Sequence, residues 1–354
     1  MRRLNRYLLR TVGASILLVL LVILGVDAIA AVIDELDEMR AQYTFSVVLQ
    51  YVMLSIPGAM YDYLPFASLV GCLAGLGVLA SNSELVVIRS SGISTLRIVW
   101  MVMRPALIIA FAGLLISEYV APNTENYAQS LRAKAMRSDQ SGAGSHGLWH
   151  REGNSFMHFD VVEANGVLYG VTIYDFDNDR RLQKTLSAER AIYIYQQAQW
   201  LLEDVTISSV GAFSVDQNRY FSQPWKTDLS PELLNILVLE PGDLSSAALW
   251  HYTQYQAAQG LSSGFYRLAF WKKILQPLST LSLVLIAISF IFGPLRQVTM
   301  GFRIFTGVIV GIAFRTVQDI LGPASMVYGF APIYASLMPI VIGAVIGGVM
   351  LRPR

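Results

Sequence analysis

Long apolar runs broken by short polar segments occupy both ends of the chain, and a polar, strand-patterned stretch separates them. A membrane-spanning helix takes about 20 mostly apolar residues. Six segments qualify: 11–33, 55–80, 98–121, 274–292, 302–321 and 327–351. The pattern changes over 122–265. Residues 123–140 are polar and continue the third helix until Gly142-Ala143-Gly144 ends it. Short runs rich in Val, Ile, Tyr and Phe follow at 147–151, 156–162, 167–176, 186–195, 200–209 and 219–224. Turn signals such as Asn165-Gly166 and Asp177-Asn178-Asp179 separate them. Short strands at near-regular spacing predict a sandwich or jelly roll. Residues 243–259 read as a helix leading back to the membrane. The expected fold is an α-helical membrane protein with six transmembrane helices and an inserted all-β jelly-roll domain. Its parts are helices one to three in 1–121, the β domain in 122–265 and helices four to six in 266–354.

Composition supports lipid as the main solvent. Of 354 residues, 54% are hydrophobic and 14% charged, with a mean hydropathy of +0.48, whereas soluble domains are about a quarter charged. A net charge of +1 supplies no field for nucleic acid. One cysteine, Cys72, excludes an intrachain disulfide. Arg2, Arg3, Arg6 and Arg10 with Ala28-Ile29-Ala30 imitate a secretory signal, but the apolar run is too long, so an uncleaved anchor is expected. Lys and Arg in short loops set orientation. Arg89, Arg97, Arg104, Arg296 and Arg303 share one side with the terminal arginines, and the opposite short loops carry only Arg40. Both termini are therefore expected in the cytoplasm and the β domain outside. Arg267, Lys272 and Lys273 run against this rule.

No G-x-x-x-x-G-K-[ST] loop occurs, so the chain is not expected to hydrolyse ATP itself. No H-E-x-x-H or paired-cysteine motif points to a metal, and His146, His150 and His158 read as surface histidines. Charges within spans are costly and so draw attention. Arg315 lies ~20 Å along the fifth span from Phe302, at ~1.5 Å per residue, with Asp319 one turn on. The pair reads either as internal bracing or as an anionic-headgroup site. Asp27 and Asp62 are expected to face a wet cavity or a neighbouring helix, with cation or proton binding as the alternative. The connection 81–94 reads as a short amphipathic helix with Ser81 and Glu84 as a capping box and Gly92 at its end. It is either a plain connector or a handle for a separate ATPase. Small-residue spacings at Gly71/Gly75, Gly307/Gly311 and Gly343/Gly347 permit close helix approach.

Over essentially its whole length the chain resembles the LptF/LptG family of lipopolysaccharide export permeases. The resemblance rests on the order and spacing of 83–94 (SELVVIRSSGIS), 119–122, 132–136 (RAKAM), 147–149, 225–229 (WKTDL), 273–277 (KILQP) and 289–296 (SFIFGPLR). It is nearer to the LptG branch than to the LptF branch. It implies a non-catalytic subunit that pairs with LptF above a dimer of the ATPase LptB, which holds the ATP and Mg. LptC would receive the lipid in its own jelly roll. The complex would take lipopolysaccharide from the inner membrane to a periplasmic bridge. Glu84 matches the family's coupling-helix glutamate, with Leu85, Ile88 and Arg89 beside it.

Relatives carry lysines at the outer end of the first helix. Here 31–40 holds Asp34, Asp37 and Glu38 with only Arg40 basic, and acids would repel lipid phosphates unless divalent cations bridge them. Arg315, with Arg40 or Lys273, is expected to take over the phosphates. Val26, Ile33, Tyr63, Phe66, Phe314 and Leu321 are expected to wall the acyl-chain cavity. Phe156, Val171, Ile173, Ile192 and Ile207 are expected to line a path through the jelly roll. Ordinary packing is the alternative for each. The paralogue LptF, a membrane scaffold and an envelope-lipid enzyme are the rival identities.

Overall fold

The computed structural model describes residues 2–39, 43–137, 147–163, 166–177, 179–211, 214–258, 263–293 and 298–351. In chain order the helices before the sheet are α1 (Arg2–Leu36), α2 (Phe45–Ser81), α3 (Glu84–Ser90), α4 (Thr95–Tyr119) and α5 (Ala121–Arg137). The strands are β1 (Leu148–Glu152), β2 (Ser155–Glu163), β3 (Val167–Phe176), β4 (Leu182–Ile194), β5 (Gln199–Val210) and β6 (Val215–Trp225). After them come α6 (Pro231–Val238), α7 (Ser246–Ala258), α8 (Gly264–Phe292), α9 (Met300–Tyr328) and α10 (Pro332–Met350). Six helices, α1, α2, α4, α8, α9 and α10, are long and apolar enough to cross a membrane. The six helices and the inserted antiparallel sheet are the fold class expected from the hydropathy. The chain divides into two compact units: Met1–Ala30, Ile56–Pro122 and Pro241–Arg354 form the helical unit, and Ala31–Ser55 with Asn123–Glu240 form the other.

In the helical unit one buried apolar cluster joins Leu8, Leu79, Leu85, Ile88, Ile98 and Ile291, with Leu351 against it. That defines a near end, where α1 begins and α3 lies. Lipid tails are as apolar as leucine, so helices associate in a membrane by close packing and polar contacts. All three glycine pairs serve that purpose within this chain. A Cβ on Gly71 would stand 2.5 Å from Ile16 Cα, and one on Gly75 would stand 2.9 Å from Ser15 Oγ, so α1 lies directly on α2. Gly307 meets Leu73 and Gly311 meets Phe66, which seats α9 on the same helix. Gly343 and Gly347 admit Ser282 and Leu285 of α8.

Proline inside a spanning helix frees the carbonyl four residues earlier, which a neighbour must satisfy. Helices α2 and α8 do this reciprocally. Pro65 frees the Tyr61 carbonyl, which accepts from Gln276 Nε2 at 2.5 Å. Pro277 frees the Lys273 carbonyl, which accepts from the Tyr61 hydroxyl at 2.7 Å. The KILQP segment therefore supplies half of this clasp.

In the second unit the sheet runs β1-β2-β3-β4-β5-β6, each strand antiparallel to the next. The ladders omit one pairing at Asp160, Gly170, Glu189, Asp204 and Phe221, which lie side by side across five strands. Gly170 and Asp204 have φ of 61° and 52° there. The buried positions change phase across this line, from Val171 and Ile173 to Leu168 on β3, and from Val205 and Ile207 to Trp200 and Leu202 on β5. A Cβ on Gly170 would collide with the Asp160 carboxylate, so glycine is required where the line crosses β3.

Trp200 is fully buried and donates from Nε1 to the Leu229 carbonyl at 2.7 Å. Ser230 caps α6 by accepting from Leu233 N at 3.3 Å, with Pro231 at the first helical position. The WKTDL segment closes the sheet. Trp225 packs near Phe159 and Trp200, Thr227 donates to Glu152, and Asp228 N donates to the same carboxylate at 3.1 Å.

Candidate functional site

The connection after α2 forms the helix Glu84–Ser90, shorter than the expected 81–94. The capping box expected of Ser81 and Glu84 is not formed. Ser83 is the N-cap, in the left-handed region with φ 62°, and makes no side-chain cap bond; Ser81 Oγ donates to the Val78 carbonyl instead. Gly92, with φ +83°, ends the segment as expected. The helix presents two faces. Leu85 and Ile88 are buried in the near-end cluster, whereas Val86, Val87 and Arg89 are exposed. Arg89 stacks over Phe292 at 5.9 Å. Glu84 is half-buried, and one of its oxygens accepts from the Tyr7 hydroxyl of α1 at 2.8 Å.

Toward the far end, α1 and α9 part from close packing. Leu8, Val12, Ile16 and Leu20 are buried, but Val22, Val26 and Ile29 are exposed. On α9, Arg303, Gly307 and Gly311 are buried on one face, with Phe302, Phe305 and Ile309 exposed on the other. From Ile312 to Leu321 no residue is buried, and Gly322 and Ser325 are buried again, Gly322 against Leu268 of α8. Arg303 is held by Nη1 donating to the Gly77 carbonyl at 2.9 Å, which pins the start of α9 to the end of α2.

A polar strip crosses the exposed region. Tyr63 of α2 donates to Asp27 of α1 at 2.6 Å, and Arg315 of α9 lies over the Tyr63 ring at 5.5 Å. Asp319 takes Arg315 at 3.8 Å and Lys272 of α8 at 3.3 Å. The Arg315 side chain is 58% exposed, and such open pairs hold about 0–1 kcal/mol. Its charge is thus available to another anion at small cost. Lys272 was missed in the sequence, although a lysine placed against the orientation rule was a signal for it.

The other expected cavity residues fall on both sides of this surface. Val26 and Ile33 are exposed on α1, and Tyr63, Phe66, Phe314 and Leu321 are half-buried. Lys273 corrects one expectation. Its side chain is buried, 4% exposed, and Nζ donates to the carbonyls of Ser117 at 3.0 Å and Leu244 at 2.6 Å. It therefore fastens the chain entering α7 to the bundle and is not open to a lipid phosphate. Glu118 helps, accepting from Ser246 N at 2.8 Å at the start of α7. Arg40 lies outside the described residues.

In the second unit the acids of 34–38 are partly neutralised, a feature the sequence did not reveal. Arg132 pairs with Glu35 at 3.2 Å and Glu38 at 2.8 Å and lies over Tyr51 at 5.7 Å. The buried Tyr43 hydroxyl donates to Glu35 at 2.8 Å, and burial pushes that phenol's pKa up. Lys134 pairs with Glu163 at 3.0 Å. Both cations belong to RAKAM, so that segment anchors the acidic turn and the sheet to α5.

The expected jelly-roll path divides by face. Val171, Ile173 and Ile207 lie in the packed interior, Ile192 is half-buried, and Phe156 is 38% exposed, with its ring edge-on to Phe176 at 5.5 Å. Phe156 corrects its assignment to the interior. The strand alternation puts Met157 and Phe159 inside and turns Phe156 outward.

Known proteins match this arrangement along its length. The family model for "Lipopolysaccharide export system permease LptF/LptG" matches residues 6–353. The Lipopolysaccharide export system permease protein LptG of Escherichia coli (strain K12) is 36% identical over 338 residues, covering 95% of this chain and 94% of the relative. The protein of the same name from Haemophilus influenzae is 34% identical over 337 residues, with the same coverage of 95% and 94%. A whole-length family match and relatives at this identity, on six apolar helices with one inserted sheet, place the chain in the LptF/LptG family of lipopolysaccharide export system permeases.

Proposed function

We propose that this chain is the LptG-type permease subunit of an ATP-driven exporter in the bacterial inner membrane, and that its cargo is lipopolysaccharide. Both termini face the cytoplasm and the β domain faces the periplasm. The chain holds no cofactor. It pairs with LptF, the LptB dimer binds ATP and Mg and docks on α3, and LptC takes the lipid onward.

The observation that carries this reading is the contrast along α1 and α9. Both are seated on α2 at the near end and leave apolar side chains exposed toward the far end, with Arg315 and Lys272 among them. Acyl chains can lie against Val26, Phe314 and Leu321 while the two cations draw headgroup phosphates from Asp319. Pulling an acyl chain from lipid into water costs about 0.8 kcal/mol per CH₂. An apolar wall along α1 and α9 would remove most of that cost. Closure driven by the ATPase would then expel the lipid upward.

The test is Arg315→Ala with Lys272→Ala in the complex purified with its ATPase. Lipid-stimulated ATP hydrolysis and lipid crosslinking should fall several-fold, while assembly stays unchanged. Both activities at wild-type levels would remove the cations from the phosphate site. A chain that purifies from membranes in mild detergent without any ATPase would defeat the transporter reading itself.

A further inference from the structure

The coupling helix is tied to the first spanning helix, not only to its sequence neighbours. Leu8 is fully buried in the cluster that holds Leu85 and Ile88. The adjacent Tyr7 donates to Glu84 Oε2 at 2.8 Å. Among the described residues no other group hydrogen-bonds this carboxylate. The foot of α1 is thus tied to α3 by a buried apolar contact and by an exposed hydrogen bond.

Helix α1 runs from Arg2 to Leu36 and contains no proline, so no backbone break separates its foot from Ile29. Gly71 and Gly75 let it approach α2 closely, and Leu8, Val12 and Ile16 share a buried cluster with Leu69, Leu73 and Leu76 of α2. Beyond Leu20 no described residue of α1 is buried, so a helix tied to α3 at its foot and open at its far end can carry a displacement of α3 along its length.

We infer that Tyr7 is a positioning residue for coupling: its hydroxyl holds Glu84 to the foot of α1, so that movement of α3 under the ATPase is handed to the exposed half of α1. The inference rests on the reading of α3 as the ATPase dock. A basic group of the ATPase that engages Glu84 pulls on a carboxylate already bound to α1. Removing the hydroxyl leaves Leu8 and the dock in place and cuts only the polar link.

The test compares Tyr7→Phe with the unaltered chain, each in the assembled transporter in lipid vesicles and each carrying Ile29→Cys as a reporter. Native Cys72 is buried and does not compete for the reagent. With Tyr7 present, a non-hydrolysable ATP analogue should change the maleimide labelling rate of the reporter about threefold or more, within the range of coupling seen for single residues. With Tyr7→Phe the nucleotide response should vanish, and lipid released per ATP should fall about as much, while ATPase recovery and hydrolysis stay within about twofold. The inference is overturned if Tyr7→Phe keeps the full nucleotide response, or if the unaltered chain shows none. Loss of the ATPase from the Tyr7→Phe complex would overturn it too, by making Tyr7 part of the dock. Failure of the unaltered chain to recover any ATPase would instead strike the docking role of α3.

Discussion

The near and far halves of α1 and α9 are built from similar residues and behave differently. In the near half the helix surfaces meet glycine, and Leu8, Val12, Ile16 and Leu20 repeat every four residues along one buried stripe. In the far half Val22, Val26, Ile29, Val317 and Ile320 are as apolar but exposed. Among the described residues α1 buries none beyond Leu20, and α9 is buried again only at Gly322, against Leu268 of α8, and Ser325. Hydrophobicity therefore does not decide which half closes. Backbone access does, because dispersion contacts between membrane helices need close approach. Beyond the Gly71/Gly75 and Gly307/Gly311 seats, a polar strip of Asp27, Tyr63, Arg315, Asp319 and Lys272 spans four helices through a few bonds. A firmly seated base and a lightly bridged upper half suit a wall that must move.

The largest effect expected from breaking this contrast comes from filling a seat. Gly71→Ala would put a methyl 2.5 Å from the Ile16 backbone, which cannot swing aside. Overpacking of this kind costs about 1–3 kcal/mol, and thermal unfolding in detergent should show it. Gly25→Ala, with nothing within 4 Å of the new atom, should stay within about 0.5 kcal/mol of the parent. Equal effects at both glycines would erase the distinction between the halves.

Comparable in size are the polar ties made by α8. Lys273→Met leaves the Ser117 and Leu244 carbonyls without their donor and should cost about 1–3 kcal/mol. Tyr61→Phe orphans the Lys273 carbonyl and should cost about 1–3 kcal/mol. Both should lower Tm, and Arg315→Ala, on an open side chain, should not. Tyr63→Phe removes one bond of the strip. A loss of about 0.5–1.5 kcal/mol is expected, with faster exchange or labelling at the far end of α1 and none at its foot.

The smallest effect lies in the β domain. His150 Nε2 is enclosed without a partner, and burial lowers the ring's pKa below its ordinary value of about 6.5. The unfolded chain then binds more protons than the folded one in the window just below 6.5, so stability there rises with pH. Denaturation of the sheet should become easier as pH falls through that window. His150→Gln should flatten the dependence.

The sequence made the six spans legible because apolar length alone sets them, and it made the strands legible because period-two alternation and turn residues agree. It understated α1, which begins at Arg2, because arginines favour helix while hiding from hydropathy. It missed α6, whose eight residues resemble a strand, although Ser230-Pro231 was a start signal. Residue roles were less accessible. Lys273 and Lys272 are neighbours of the same type, and only helix phase puts one inside and the other on the polar strip. The pairing of Pro65 with Gln276, and of Pro277 with Tyr61, depends on two helices that are distant in sequence. The acids of 34–38 looked like an obstacle to phosphate until Arg132 appeared against Glu35 and Glu38.

On this reading lipid meets the open far halves of α1 and α9 and not the seated face of the near half. Site-directed photocrosslinking of the assembled transporter in lipopolysaccharide-containing vesicles separates the two, with the photoreactive residue placed in turn at the exposed Val26 and Ile320 and at the buried Val12 and Ile16. Lipopolysaccharide adducts are expected at Val26 and Ile320, lost on ATP-driven release, and none at Val12 or Ile16. Adducts of equal yield at all four positions, or at the buried pair alone, would refute it.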